Sequence, residues 1–167
     1  FAAAGVPTAR RGSTPPPPHD PPAGGGPGGR AGGWPLTGAR AASVLRVVEE
    51  RLLTPYGLRS LDPAHPDYRG RFEGGPAERD AAYHQGTAWP WLLGPFVDAH
   101  LAVRGNTPDS RRTASAWLAP LVEHLFGPGL GQLPEVFDGD PPHRPGGCVA
   151  QAWSVAEVLR AVLRTGA

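Results

Sequence analysis

Three stretches of this chain gather His, Gln, Arg, carboxylates and aromatic rings in a way that packing alone does not require. They are Leu53-Thr-Pro-Tyr-Gly-Leu-Arg-Ser-Leu61, Tyr83-His-Gln-Gly-Thr-Ala-Trp-Pro-Trp91 and Leu133-Pro-Glu-Val-Phe-Asp-Gly-Asp-Pro-Pro-His143. Aromatic faces stack on the apolar faces of sugar rings, while His, Gln, Arg and carboxylates bind hydroxyls. A carboxylate held by proline, such as Glu135 after Pro134, has the chemistry of a general base toward water. On spacing alone the three stretches describe a polar–aromatic pocket, with a carbohydrate as one candidate ligand.

The elements that must position them read as helices. Ala41, Val44, Leu45, Val48 and Leu52 recur at helical spacing after a candidate N-cap, Thr37, and Pro55 ends that helix at or before Thr54. A second helix is expected from Thr87 as its cap, with Trp89, Leu92, Leu93, Phe96, Val97 and Leu101 on its apolar face, a kink at Pro95 and a stop at Gly105. A third covers about Ser110–Phe126, with Gly127 as its stop. The fourth, about Cys148–Leu163, is apolar on nearly all sides, and such a helix asks for burial all round. Cys148 at its start reads as a packing residue. Between the helices lie two long loops rich in Pro and Gly, Pro55–Gly86 and Gly127–Gly147. With no period-2 strand in view, the fold class is all-α, built of αα-hairpins that present their long loops on one face.

Composition closes off other classes. At 167 residues the chain has the length of one domain, about 100–200 residues. Of its 22 Pro and 24 Gly, nine of each fall within residues 1–35, so 1–33 reads as a disordered Pro/Gly-rich arm and 34–167 as the folding body. The run Thr14-Pro-Pro-Pro-Pro18 favours polyproline II, and a proline-recognising partner is the functional alternative to a solvated arm. The net charge is +1 with no basic cluster, which leaves nucleic-acid binding without its electrostatic footprint. One Cys excludes a disulfide framework. The longest apolar stretch, Ala88–Val97, is too short to span a bilayer, and 1–33 has no signal-peptide core, so a cytoplasmic protein is expected. There is no Met, every basic residue is Arg, and the chain starts at Phe1, so a piece of a longer protein is expected.

The strings LLTPYGLRSL, RDAAYHQGTAWPWLLGPF and EVFDGDPPHRPGGCVAQAWSVAEVLR, in this order, resemble the C-terminal part of the bacterial and archaeal glycogen debranching enzyme family, in its amylo-α-1,6-glucosidase domain. The resemblance runs from about Leu36 to Leu163 and leaves the arm uncovered. It implies a partial (α/α)6 toroid, the last helical hairpins of a glucoamylase-like barrel whose N-terminal half lies elsewhere. It also implies an inverting glucosidase that removes α-1,6-linked glucose from glycogen or another branched α-glucan, without a cofactor or a metal, and without nucleic-acid or membrane partners. In inversion a carboxylic acid protonates the leaving oxygen while a carboxylate roughly 6.5–9.5 Å away activates water. The resemblance places that base on Glu135, lines the glucose subsite with His84, Gln85 and Trp89, and gives Arg59 a hydroxyl to bind or a carboxylate to orient.

Two departures stand out. The general acid belongs to an upstream segment that this chain lacks, Asp80 being the nearest substitute, and Pro134 stands where the family tends to have Ser. Asp138, Asp140 and His143 have metal-ligating side chains, but their Gly and Pro neighbours make turn formation the favoured reading. The rival functional readings are a non-catalytic carbohydrate-binding remnant and a truncated gene product without function.

Overall fold

The structure, a computed structural model, describes residues 36–166. The expected arm, 1–33, lies outside the described residues. The first helix, α1, spans Gly38–Arg51; Thr37 stands at its N-cap without a side-chain cap bond, and Leu45 is its buried residue. Pro55 and Tyr56 then turn the chain between β1 (Leu53–Thr54) and β2 (Gly57–Arg59). The Thr54 hydroxyl closes this turn, donating to the Gly57 carbonyl at 2.8 Å and accepting from the Tyr56 amide at 3.2 Å.

Within the long polar loop sits a helix that periodicity did not announce, α2 (Pro76–Ala82), with Pro76 in its first turn and Ala82 buried. Thr87 does not cap the next helix. It leads into β3 (Ala88–Trp89), then a 3₁₀ turn at Pro90–Leu92, and only then α3 (Leu93–Arg104). Pro95 therefore falls in the first turn of α3, where its missing N–H is tolerated. Helix α4 (Pro108–Phe126) opens with a reciprocal cap: Thr107 Oγ1 accepts from the Ser110 amide at 3.2 Å, and Ser110 Oγ accepts from the Thr107 amide at 3.0 Å. After β4 (Val136–Phe137) and β5 (Pro145–Gly146) comes α5 (Ala152–Thr165).

The all-α expectation is thus corrected. The chain is mainly helical, but its five strands form one antiparallel sheet in sequence order. Leu58 pairs with Trp89, Ala88 with Phe137, and Val136 with Gly146. Strands of two or three residues are too short to display the alternation by which strands are recognised. The sheet nevertheless joins the three chemistry-bearing stretches to one another.

The core lies between α1, α3, α4 and α5. Leu93, Val97, Ala114, Leu118 and Leu121 are fully buried there, and Leu45, Leu101, Val158 and Ala161 close it. Phe137, Ala88 and Leu133 extend it beneath the sheet. Helix α5 buries one face, through Ser154, Val158, Ala161 and Thr165, and leaves Trp153 (49 %), Leu159 (56 %) and Leu163 (75 %) exposed. The burial all round expected of this helix is not present among the described residues. Cys148, expected to pack at its start, precedes α5 and is exposed. No helix of the described residues is long and apolar enough to cross a membrane.

His100 is buried on α3 with its ring edge-on to Trp117, centroids 4.7 Å apart, and neither ring nitrogen has a hydrogen-bond partner among the described residues. Burial holds its pKa below the usual imidazole value. The unfolded chain therefore binds this proton more readily, and stability must fall as pH drops through the ordinary His range. Urea unfolding as a function of pH should show that loss in the wild type and a shallower one in His100→Leu.

Candidate functional site

Glu135 follows the buried pair Leu133–Pro134 and leads directly into β4. Its amide donates to the Cys148 carbonyl at 2.8 Å, while the Gln151 amide donates to the Leu133 carbonyl at 2.8 Å. The backbone is thereby fastened on both sides of the carboxylate. Oε1 accepts from Gln151 Nε2 at 3.0 Å and Oε2 from the Cys148 amide at 3.2 Å. Gly147 has φ +70°, which favours glycine, and a Cβ there would fall 2.5 Å from Oε2 and displace the carboxylate. Each carboxylate oxygen keeps a second lone pair for a further donor such as water.

Tyr83 faces this carboxylate from the loop-to-sheet junction. Burial pushes its phenol up to about 12, and the Glu135 carboxylate acts in the same direction. Around Tyr83 the rings form a cluster. Trp89 meets it edge-on at 4.8 Å, and His84 lies parallel to Trp89, centroids 5.3 Å apart at 10°. The Trp89 indole N–H donates to the Tyr83 carbonyl at 3.2 Å and to Thr87 Oγ1 at 3.1 Å, so its polar edge is satisfied inside the protein. Trp89 is buried, whereas His84 and Gln85 are exposed. Trp91 and Trp153, centroids 5.7 Å apart, join Ser60, His84, Trp89 and Leu92 in lining a groove of about 160 Å³. A larger cavity of about 460 Å³ opens beside Pro134 and Gly147, lined also by His124, Gln132 and Leu130.

Arg59 spends its donors on the backbone. Nε donates to the Gly139 carbonyl at 2.9 Å, and Nη1 lies 3.4 Å from the Leu53 and Arg51 carbonyls. It joins β2 to the turn that follows β4. Asp138, 2 % exposed, accepts from the Phe72 amide at 2.8 Å and Arg144 Nε at 3.0 Å, with Arg71 Nη1 at 3.5 Å. Asp140 accepts from the Tyr68 hydroxyl at 2.9 Å, and the Asp138 carbonyl lies 2.9 Å from His143 Nδ1. These carboxylates are therefore engaged in holding loops, and no group of three metal-ligating side chains occurs among the described residues. Asp80 lies on the exposed side of α2.

The structure brings Glu135, His84 and Trp89 to one neighbourhood through Tyr83, and sets Arg59 against the backbone. Sequence reasoning passed over Gly147, Gln151 and Trp153 as site residues, and took Tyr83 and Trp91 only as members of a polar–aromatic stretch in which one of Trp89 and Trp91 would be core and the other pocket. All five lie inside the quoted strings, yet nothing local marks the first three, because their roles come from contacts between separate stretches.

A family model described as Amylo-alpha-1,6-glucosidase matches residues 35–160, which takes in the sheet, the carboxylate and the first nine of the 14 residues of α5. The chain belongs to the amylo-α-1,6-glucosidase family. Among curated proteins it is similar to the glycogen debranching enzyme of Saccharomyces cerevisiae, 37 % identical over 65 residues, which is 35 % of this chain and 4 % of that protein. The chain thus spans a small part of the length of the relative it matches. For this family member, Glu135 stands in the part of the chain that the family match covers.

Two outcomes test the geometry. Phenolate absorbance during alkaline titration should include a step near 12 that disappears in Tyr83→Phe. A phenol held neutral by folding stabilises fully below the ordinary tyrosine value, and this contribution is lost as pH rises toward the folded one. Asp138→Ala orphans the Phe72 amide, while Arg71 and Arg144, both partly exposed, stay solvated. The loss should therefore stay near that of hydrogen bonds to a charged group, about 2 kcal/mol by chemical unfolding.

Proposed function

We propose that this chain supplies the general-base side of an inverting α-1,6-glucosidase acting on glycogen or a related branched α-glucan. The observation that carries the reading is the Glu135 carboxylate, fixed by Gln151 and the Cys148 amide at the edge of an aromatic cluster. A base for water needs a held, ionised carboxylate with lone pairs to spare, and Glu135 has the bonds for the first and the valence for the last.

In this scheme Glu135 takes a proton from water as its oxygen bonds to the anomeric carbon. The bond to the glucan oxygen breaks on the opposite face, and that oxygen receives its proton from a carboxylic acid roughly 6.5–9.5 Å away. The resemblance assigns that acid to sequence preceding residues 36–166, and Asp80 on the exposed side of α2 is not given the role. His84, Gln85 and the Trp91–Trp153 groove wall would receive the sugar, with Trp89 as the buried floor behind His84. Arg59 acts by holding the Gly139 carbonyl, which sets the turn after Glu135. The helices α1, α3, α4 and α5 would be the last hairpins of an (α/α)6 toroid. The exposed apolar residues Leu159 and Leu163 support that reading, since further helices would cover them.

In the full-length protein, Glu135→Gln should lower glucose release from an α-1,6-branched glucan by about 1,000-fold or more, the upper range for loss of general-base action. Glucan binding, measured by calorimetry, should change little. Undiminished turnover would remove Glu135 from the role. Weak binding together with lost turnover would favour a structural role for the carboxylate.

A further inference from the structure

Gln151 occupies a place in the fold where its side chain has an unusual assignment. It is the N-cap residue of α5, in extended conformation at φ −96° and ψ 117°, and its side chain makes no cap bond to the helix. Residues at N-caps are chosen for a short oxygen that accepts from the first-turn amides, and Ser, Thr, Asp and Asn lead there. Gln is too long for that bond. The half-buried Gln151 instead reaches back across the β4–α5 loop, and Nε2 donates to Glu135 Oε1 at 3.0 Å.

The backbone makes that bond directional. The Gln151 amide is fastened to the Leu133 carbonyl and the Glu135 amide to the Cys148 carbonyl, both at 2.8 Å. The two chain segments therefore run side by side, and the side-chain bond closes a ring between them. Oε2 is bound at 3.2 Å by the Cys148 amide of the same segment. Among the described residues, the Gln151 Nε2 and Cys148 amide donors both come from the four residues before α5, with the Tyr83 phenol facing the same carboxylate. Rotation of the carboxyl group about its last torsion is resisted by Gln151 on one oxygen and Cys148 on the other.

We propose that Gln151 is a positioning residue for Glu135: it gives up helix capping to orient the carboxylate toward the attacking water. The inference rests on the reading of Glu135 as the base. Its cost is an α5 start without a side-chain cap, and its benefit is a base whose lone pairs point one way before substrate arrives. Misplacement of a catalytic group by about 1 Å lowers rate about 100-fold.

The test uses Gln151→Ser and Gln151→Met in the full-length protein, with glucose release from an α-1,6-branched glucan and thermal unfolding measured side by side. Ser is a preferred N-cap, so Gln151→Ser should keep or raise the melting temperature while kcat falls about 100-fold and KM stays near the wild-type value. Gln151→Met keeps the length of the side chain and drops only the donor, and should show the same split. A kcat within about twofold of wild type in either variant overturns the proposal, as does a kcat loss that follows a loss of melting temperature in both. Glu135→Gln run in parallel separates the two claims. If it is active, the base reading fails; if it is inactive while Gln151→Ser is fully active, only the positioning role fails.

Discussion

The pairing of Ala88 with Arg59 on one side and with Phe137 on the other is the constraint on which the site depends. Three distant stretches of chain meet there over two or three residues each. Ladders so short are marginal by themselves, so other contacts must hold the register. Glycine supplies part of this. A Cβ on Gly57, at φ +138°, would fall 2.4 Å from the Trp89 carbonyl oxygen, and one on Gly139 would strike the Gly86 carbonyl. The strands and the turns beyond them approach backbone to backbone, and larger residues would pry them apart.

Charge supplies the rest. Asp138 is buried with Arg144, Arg71 and the Phe72 amide as partners, and Asp140 binds the Tyr68 hydroxyl. A buried carboxylate is tolerated when its partners replace water, and here two of those partners, Arg71 and the Phe72 amide, come from a loop more than sixty residues earlier in the chain. The long polar loop and the turn after β4 are therefore one unit. Arg59 belongs to the same frame, since its donors end on backbone carbonyls on both sides of it. The outcome is a set of loops that hold side chains as firmly as regular elements do, which is what a carboxylate with a fixed direction needs.

The legibility of the fold followed the length of its elements. The apolar spacing around Leu45, Leu118 and Val158 placed α1, α4 and α5 to within a few residues, because each repeats its period several times. The seven residues of α2 contain only one buried side chain, so no period existed to be read. Thr87 looked like a helix cap because its hydroxyl is short and precedes an apolar run. Its Oγ1 instead donates to the Tyr83 carbonyl at 2.6 Å and belongs to the strand entry. At the site, Glu135, His84 and Trp89 stood out by type and neighbours. Gln151 and Gly147 did not, since their meaning lies in a carboxylate more than ten positions away.

Helix α5 ties the site to the core. Its buried face, Val158 and Ala161, packs with α3 and α4, and Gly94 at the start of α3 leaves room for Glu157 and Arg160 to lie against it. Arg160 then bonds Glu157 at 2.8 Å and Asp98 at 2.7 Å, fixing the rotation of α5 relative to α3. Because α3 continues from the 3₁₀ turn and β3, the same packing sets where Trp153 stands against Trp91. It also sets where the residues just before α5 meet Glu135. A cavity cut into the α3–α5 contact would therefore act on both walls of the site at once, although none of its residues touches the carboxylate. Core packing and site geometry are one constraint here, since the helix that fills the core begins directly after the segment that holds Glu135.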